Sequence, residues 1–351
     1  MTKRDIVVIG ASAGGIEALI QLVSGLPEDF DASVFIVVHI PHGATSALPR
    51  ILSRRGRLRA VHPRDGERIE SGKIYVAPPG AHLILEKKRI SLVRGPREHG
   101  VRPAVDPLFL SAALEFGARV IGILLSGNLD DGTAGLQAIK NEGGATMVQD
   151  PAEALYPGMS LSAIENGCAD KVLPVAEIAA ALSAGVERRP AERVGYREAL
   201  YMDDERASKE EEEEKELAID KLDIDQLQGD DQPGVVSAFT CPECNGTLWE
   251  LSASDALRFR CRVGHAFAVD SLLAKQQESI EAAFWIALRA LEERAALLRR
   301  LVARAEKSGN KISIRRYTEE ESLVAKRAKT LRDAILSGIV ADEAQPAAAA
   351  V

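Results

Sequence analysis

Two periods of hydrophobicity take turns along the first 190 or so residues. Ile6, Val7, Val8 and Ile9 form a continuous apolar run, as a strand buried on both faces requires, and Gly10 ends it. Ile16, Leu19, Ile20 and Val23 then recur at helical spacing, so the chain opens as strand, tight turn and helix. The alternation continues. Val34–Val38, Ile74–Val76, Val120–Leu125 and Ala145–Val148 read as strands, and His82–Leu85 with Arg89–Val93 as a β-hairpin. Helical spacing covers Val105–Phe116, Gly132–Asn141, Leu161–Asn166 and Val175–Leu182. This order predicts an α/β fold: a doubly wound, mostly parallel sheet with helices on both faces, over residues 1–190.

The pattern then changes. Residues 191–235 read as an acidic linker, in which Ala207–Glu216 is dominated by glutamate and can bury almost nothing, so that it is a linker or a solvated helix. Leu217, Ile219, Leu222, Ile224 and Leu227 offer some apolar spacing for docking, but a mobile tether is the expectation. Residues 236–268 form a compact cysteine-containing module. Residues 269–340 carry two long helical patterns around Ser308-Gly309-Asn310, which predicts an antiparallel helical hairpin. The tail, 341–351, is expected to be disordered.

Composition narrows the class. A hydrophobic content of 46% over 351 residues supports a substantial core. No apolar run reaches the length of a membrane span, so no membrane insertion is expected. The first residues, MTKRD, run straight into a strand without a signal peptide, and the cytoplasm is the expected location. Met202–Gln232 holds 14 acidic and 4 basic side chains, a net −10 against −8 for the whole chain. The remainder is therefore near +2, and no nucleic-acid partner is expected.

Candidate chemistry collects at strand ends. Ser12 follows the first strand among Gly10, Gly14 and Gly15, where the backbone can bend sharply and approach a ligand. His39 follows the second strand and Asp131 a later one. Carboxyl ends of parallel strands share one edge of the sheet, so the three can converge as nucleophile, base and orienting acid. Other readings stand beside this one. Ser12 could be idle in a glycine turn, His42 and His82 compete with His39, and Asp130 or Asp131 could simply cap the helix after Gly132. A dinucleotide site would need an acidic residue where His39 stands, and no tyrosine has a lysine four residues on.

Several of these stretches resemble one family. IGASAGGIEAL, VVHIPHG, YVAPPGAHL, RPAVDPLF and LLSGNLDDGTAGL, in this order over about half the chain, are similar to the catalytic domain of the chemotaxis protein-glutamate methylesterases, called CheB. The resemblance implies a serine hydrolase that removes methyl esters from glutamates in the cytoplasmic segment of chemoreceptors and also deamidates certain glutamines. It implies Ser12, His39 and Asp131 as the triad, the backbone N–H of Asn128 as an oxyanion donor, and no catalytic cofactor. Gly14 lies in the same substrate-facing turn, and Arg102 is a candidate for holding an acidic receptor segment. The receiver domain common in the family is expected to be lacking here. Ala13 replaces the usual hydroxyl residue after the nucleophile, and GNLDD replaces the usual GMGND. Two other readings remain: an esterase-fold adaptor of weak or no activity, and a hydrolase of a different carboxylic ester.

Cys241 and Cys244 are spaced C-x₂-C, and Cys261 precedes His265 by four positions. Two such knuckles fit a tetrahedral structural zinc with no open position. Phe239, Trp249, Phe259 and Phe267 are expected around it, Cys168 in the first domain's core, and Arg258, Arg260 and Arg262 as a weak basic patch. Docking of a receptor or regulator is the expected role of this module and the hairpin. Loss of zinc is expected to unfold the module and spare the esterase.

Overall fold

The computed structural model describes residues 4–40, 46–86, 88–185, 211–221, 234–251 and 256–337. His42, most of the acidic segment and the tail 341–351 lie outside the described residues. The chain divides into two compact units, the first ending at Leu272 and the second beginning at Leu273.

The core of the first unit is a seven-stranded sheet. Its strands are β1 (Ile6–Ala11), β2 (Ser33–Val38), β3 (Arg59–Val61), β4 (Lys73–Val76), β7 (Val120–Leu124), β8 (Ala145–Gln149) and β9 (Lys171–Leu173). They lie in the order β3-β4-β2-β1-β7-β8-β9, every pair parallel. β1 and β2 are buried at every position, which is why they read as unbroken apolar runs. On one face Val7, Ile9 and Ala11 pack with α1 (Gly15–Ser24), α2 (Leu48–Arg55) and α6 (Val175–Gly185). On the other, Ile6 and Val8 pack with α3 (Val105–Phe116), α4 (Thr133–Asn141) and α5 (Gly158–Glu165). A side chain at Gly10 would collide with Val105, so glycine here lets α3 lie directly over β1. The hairpin of β5 (His82–Glu86) and β6 (Arg89–Val93) stands outside the sheet. The doubly wound fold is thus as the alternation predicts. The three-residue strands β3 and β9 show no period, and α2 adds one helix to those predicted.

The cysteine-containing module is a four-stranded antiparallel ribbon: β10 (Val235–Thr240), β11 (Thr247–Leu251), β12 (Arg258–Cys261) and β13 (Ala266–Ala268). Its small core is Cys241, Leu248, Phe259, Cys261, Phe267 and Leu272. Phe239 meets Phe259 edge to face, with ring centres 5.4 Å apart. Within the first unit the ribbon docks on the α/β domain. The loop after β6 adds itself to the ribbon: His99 N–H donates to the Ala266 carbonyl at 2.7 Å, and Ala266 N–H to the Arg97 carbonyl at 3.3 Å.

The described part of the acidic segment is a helix, but a buried one rather than a solvated helix or a mobile tether. Residues 211–220 form a helix, with Glu216 and Asp220 fully buried and Leu217 and Ile219 nearly so. Their counter-charges come from the ribbon. Arg258 Nη1 donates to Glu216 at 2.9 Å. Arg260 donates to Asp220 at 2.8 Å, to the Gly264 carbonyl at 3.0 Å and to Glu98. Arg258 and Arg260 are therefore no surface patch; they are the buried centre of the docking. A glutamate run can be buried when arginines from elsewhere in the chain satisfy it, and one-dimensional charge counting does not reveal that. Gly95 and Gly264 sit where side chains would collide with Asp220 and Pro96, so the three segments meet at backbone distance.

In the second unit, the long helix Val269–Lys307 continues from Leu273 and returns as Lys311–Leu336. Gly309, with φ +67°, makes the turn, and the Asn310 side chain accepts from Ser313 N–H at 3.1 Å to cap the return helix. Leu291, Ala295, Leu298 and Leu301 pack with Tyr317 and Val324. Arg299 pairs with Glu321 at 2.8 Å across the hairpin. No helix among the described residues is long and apolar enough to cross a membrane.

Candidate active site and metal-ligand cluster

The sheet order reverses at β1, where the chain first builds β2 on one side and later β7 on the other. The crevice at such a switch point is where open α/β sheets bind ligands. Ser12 leaves β1 at that point. Its N–H donates to the Ser126 carbonyl beyond β7 at 2.9 Å, and its carbonyl accepts from Gly15 N–H at 3.0 Å, which closes the turn. Gly14 takes φ +70°, and a side chain there would lie 2.8 Å from both Leu155 and Ser126. Ala11 pairs with Val38, so the next position beyond each strand is Ser12 and His39; His39 N–H still donates to the Ala11 carbonyl at 3.3 Å.

Asp131 reaches this edge from the loop after β7. Its Oδ2 lies 2.6 Å from His39 Nε2 and accepts from Val105 N–H at 2.8 Å, while Oδ1 accepts from Asp106 N–H at 3.0 Å. The carboxylate is buried at the N-terminus of α3. Burial would raise its pKa, but the charge of His99, the bond from His39 and the backbone N–H of Val105 hold it well below the usual carboxylate range. An ionised Asp131 requires a proton on His39 Nε2, which leaves Nδ1 as the ring nitrogen able to accept one.

Of the competing residues, His42 lies outside the described residues and the others take different positions. His82 is fully buried, with Nε2 2.8 Å from the Pro96 carbonyl and Nδ1 accepting from Ala104 N–H at 3.2 Å. Burial pushes its pKa down, and it serves the loop rather than the crevice. Neither aspartate uses its carboxylate to cap α4. Asp131 caps α3, and Asp130 Oδ2 accepts from Asp270 N–H at 2.8 Å and Ser271 N–H at 3.4 Å, capping the long helix that leaves the ribbon. The carboxylate bonded to an N–H of α4 is Asp106, whose Oδ1 accepts from Gly135 N–H at 2.7 Å. Cys168 is in the core, as expected.

Asn128 is exposed in the loop between Gly127 and Asp131. A side chain at Gly127 would sit 2.8 Å from Ser12 Cβ, so the Gly127–Asn128 backbone passes against the serine. Arg102 lines a cavity of about 300 Å³ together with His39, Gly80, Arg97 and Gly100. Its Nη1 donates to the carbonyls of Arg94, at 3.1 Å, and Gly95. Arg97 is the second cation at this mouth and lies 3.9 Å from Glu243 of the ribbon.

His99 is a buried histidine beside the site that the sequence does not announce. It is buried behind Asp131, with Nε2 2.9 Å from Asp106 Oδ2 and 3.6 Å from Asp131 Oδ1. Burial alone would lower its pKa; the charge of Asp131, the bonds to Asp106 and Asp130 and the charge of Asp106 outweigh that and hold it well above the ordinary value. Its one signal along the chain is adjacency to the RPAVD stretch.

In the ribbon, one ligand atom from each of Cys241, Cys244, Cys261 and His265 lies within 4.8 Å of the others. Cys244 Sγ is 3.6 Å from Cys261 Sγ, and His265 Nδ1 is 3.6 Å from Cys261 Sγ and 3.8 Å from Cys241 Sγ. Sulfurs about 2.3 Å from a tetrahedral zinc stand about 3.7 Å apart, so the cluster can hold such an ion. Glu243 Oε2, 3.7 Å from His265 Nε2, is placed to orient that ring. A second group, Glu98, His99 and Asp106, also has metal-ligating atoms close together. There Arg258, 3.8 Å from Glu98, and Arg260 supply the positive charge instead.

The architecture places the chain in the class of doubly wound α/β domains that gather a hydroxyl, an imidazole and a carboxylate at the carboxyl edge of a parallel sheet. More narrowly, the chain belongs to the CheB methylesterase family, whose model matches residues 7–182, half of its length. It is 43% identical over 180 residues to protein-glutamate methylesterase/protein-glutamine glutaminase 2 of Anaeromyxobacter dehalogenans, covering 51% of this chain and 53% of that protein. It is 38% identical over 183 residues to protein-glutamate methylesterase FrzG of Myxococcus xanthus, covering 52% and 55%. The crystal structure of the Thermotoga maritima CheB methylesterase catalytic domain superposes with a TM-score of 0.50 at 34% identity, over 52% of this chain and 99% of that one. The chain spans about half the length of the curated relatives it matches.

Proposed function

We propose that this protein is a serine-dependent protein-glutamate methylesterase acting on methylated chemoreceptors. The observation that carries the reading is the 2.6 Å bond between His39 and Asp131 at the sheet edge, with Ser12 in the adjacent register position. Ser12 Oγ attacks the ester carbonyl while His39 Nδ1 takes its proton. The Asn128 N–H donates to the oxyanion as it forms. His39 returns the proton to the leaving oxygen, methanol departs, and water repeats the sequence on the acyl-enzyme. A glutamine side chain follows the same route with ammonia as leaving group. No step needs a cofactor. Arg97 and Arg102 at the mouth suit the acidic cytoplasmic segment of a receptor, so the reaction belongs in the cytoplasm.

The direct test is methanol release from a receptor cytoplasmic fragment methylated on its glutamates. The full chain should release methanol; release no faster than buffer would favour the esterase-fold adaptor, and hydrolysis of other esters alone would favour a different substrate. Asp131→Asn should keep the fold but lower kcat by about 10⁴-fold, because the amide no longer holds His39 in the working tautomer. A loss under tenfold would remove Asp131 from the triad.

The Cys241, Cys244, Cys261 and His265 cluster is assigned a structural zinc, with four protein ligands and no open position. The ribbon grips the loop that carries Arg97 and His99, so a regulator bound to the ribbon reaches the pocket wall. Metal loss should therefore not spare the esterase, contrary to the expectation from sequence. Chelation should lower methanol release by about tenfold or more, the scale of one or two lost orienting contacts. Full activity from a metal-free, unfolded ribbon would contradict this.

A further inference from the structure

Ser271, the penultimate residue of the first unit, touches the group behind Asp131. Its Oγ lies 2.8 Å from His99 Nδ1, and it accepts from Ala268 N–H and donates to the Ala268 carbonyl, both at 3.2 Å. The opposite nitrogen of the same ring is bonded to Asp106 and faces Asp131. Asp130, the neighbour of Asp131 in the chain, is held by the N–H groups of Asp270 and Ser271. The first turn of the long helix thus grips the Asp131 loop twice, once through Asp130 and once through His99.

These contacts have a direction. Asp131 takes His39 and Val105 on Oδ2 and Asp106 N–H on Oδ1, and His99 is the positive group facing Oδ1. With one ring nitrogen engaged by Ser271 and the other by Asp106, His99 cannot swing away, and three carboxylates, Asp106, Asp130 and Asp131, are packed around it. His99, Ser271 and the three carboxylates are buried, so the interactions among them are little screened by water.

We propose that His99 is a positioning residue for Asp131 and that Ser271, supplied by the C-terminal module, holds His99 in place, so that the module completes the esterase site. This rests on the triad reading above. His99 and Ser271 touch no reacting atom; they fix the carboxylate that orients His39.

The test uses the full chain and the variants Ser271→Ala, Ser271→Thr and His99→Gln, with two readouts. One is kcat and KM for methanol release from the methylated receptor fragment. The other is the downfield proton resonance of the His39 Nε2–H bonded to Asp131, which needs no turnover. Ser271→Ala should lower kcat about tenfold at unchanged KM, the scale of one lost hydrogen bond to a charged group. His99→Gln should lower it by about 100-fold if it removes two such interactions. Both should weaken the downfield resonance, and Ser271→Thr, which keeps the hydroxyl, should retain wild-type values. Wild-type kcat and an unchanged resonance in folded Ser271→Ala would overturn the proposal. If the wild type released no methanol, the resonance alone would decide: a response in Ser271→Ala upholds the positioning role while the esterase reading falls, and no response ends both. Should His99→Gln not fold, the Ala and Thr pair at position 271 decides in the same way.

Discussion

Replacing Arg260 by methionine should lower the stability of the first unit by about 3–5 kcal/mol, the scale of breaking a buried ion pair from one side. The guanidinium is fully buried and satisfies Asp220 and Glu98, with Glu216 at 3.3 Å. Without it those carboxylates face one another across the docking surface with Arg258 alone to balance them. Lysine is no substitute, since one ammonium cannot span the fork that reaches three carboxylates and the Gly264 carbonyl. Thermal unfolding should show the first transition falling by about 10 °C. A Tm within about 2 °C of wild type would show that the cluster does not hold the ribbon in place.

The same cluster gives the docking an acid limit. Burial would raise Glu98, but Arg260, Arg258, His99 and His82 hold its pKa down at about 2. A carboxylate depressed in the folded state contributes stability that is full above its ordinary value, near 4.5, and is lost as pH falls through about 2. Asp220 is pushed the other way, first by burial and then, against Arg260, by Glu98.

Residues that lie close along the chain or follow the sheet's period are legible in the sequence alone. β1, β2 and β7 are buried on both faces, and α3 begins and ends where its spacing places it. Ser12, His39 and Asp131 are reachable because parallel topology brings strand ends to one edge. Residues linked by long-range partners are not. Glu216 and Asp220 read as solvated acid because Arg258 and Arg260 are some 40 residues away. Asp130 reads as a cap for its own helix, yet it caps one 140 residues further on. His99 carries no periodic or motif signal of its own, and Ser271 has meaning only through the ring it touches. In each case a polar side chain escapes one-dimensional reading because its partner is found only in three dimensions.

The central claim is that Ser12 is the nucleophile, and methanol release from the methylated receptor fragment by wild type and Ser12→Ala tests it most directly. In the proposed mechanism the hydroxyl supplies the bond that opens the ester, and neither His39 nor the Asn128 N–H can replace it. The substitution removes one small polar atom at a half-buried position, so the fold and the His39–Asp131 bond should survive. The account predicts a fall of about 10⁶-fold in kcat, to a residue left by binding and oxyanion stabilisation. Equal release by the two proteins would contradict it and would move the nucleophile elsewhere in the crevice.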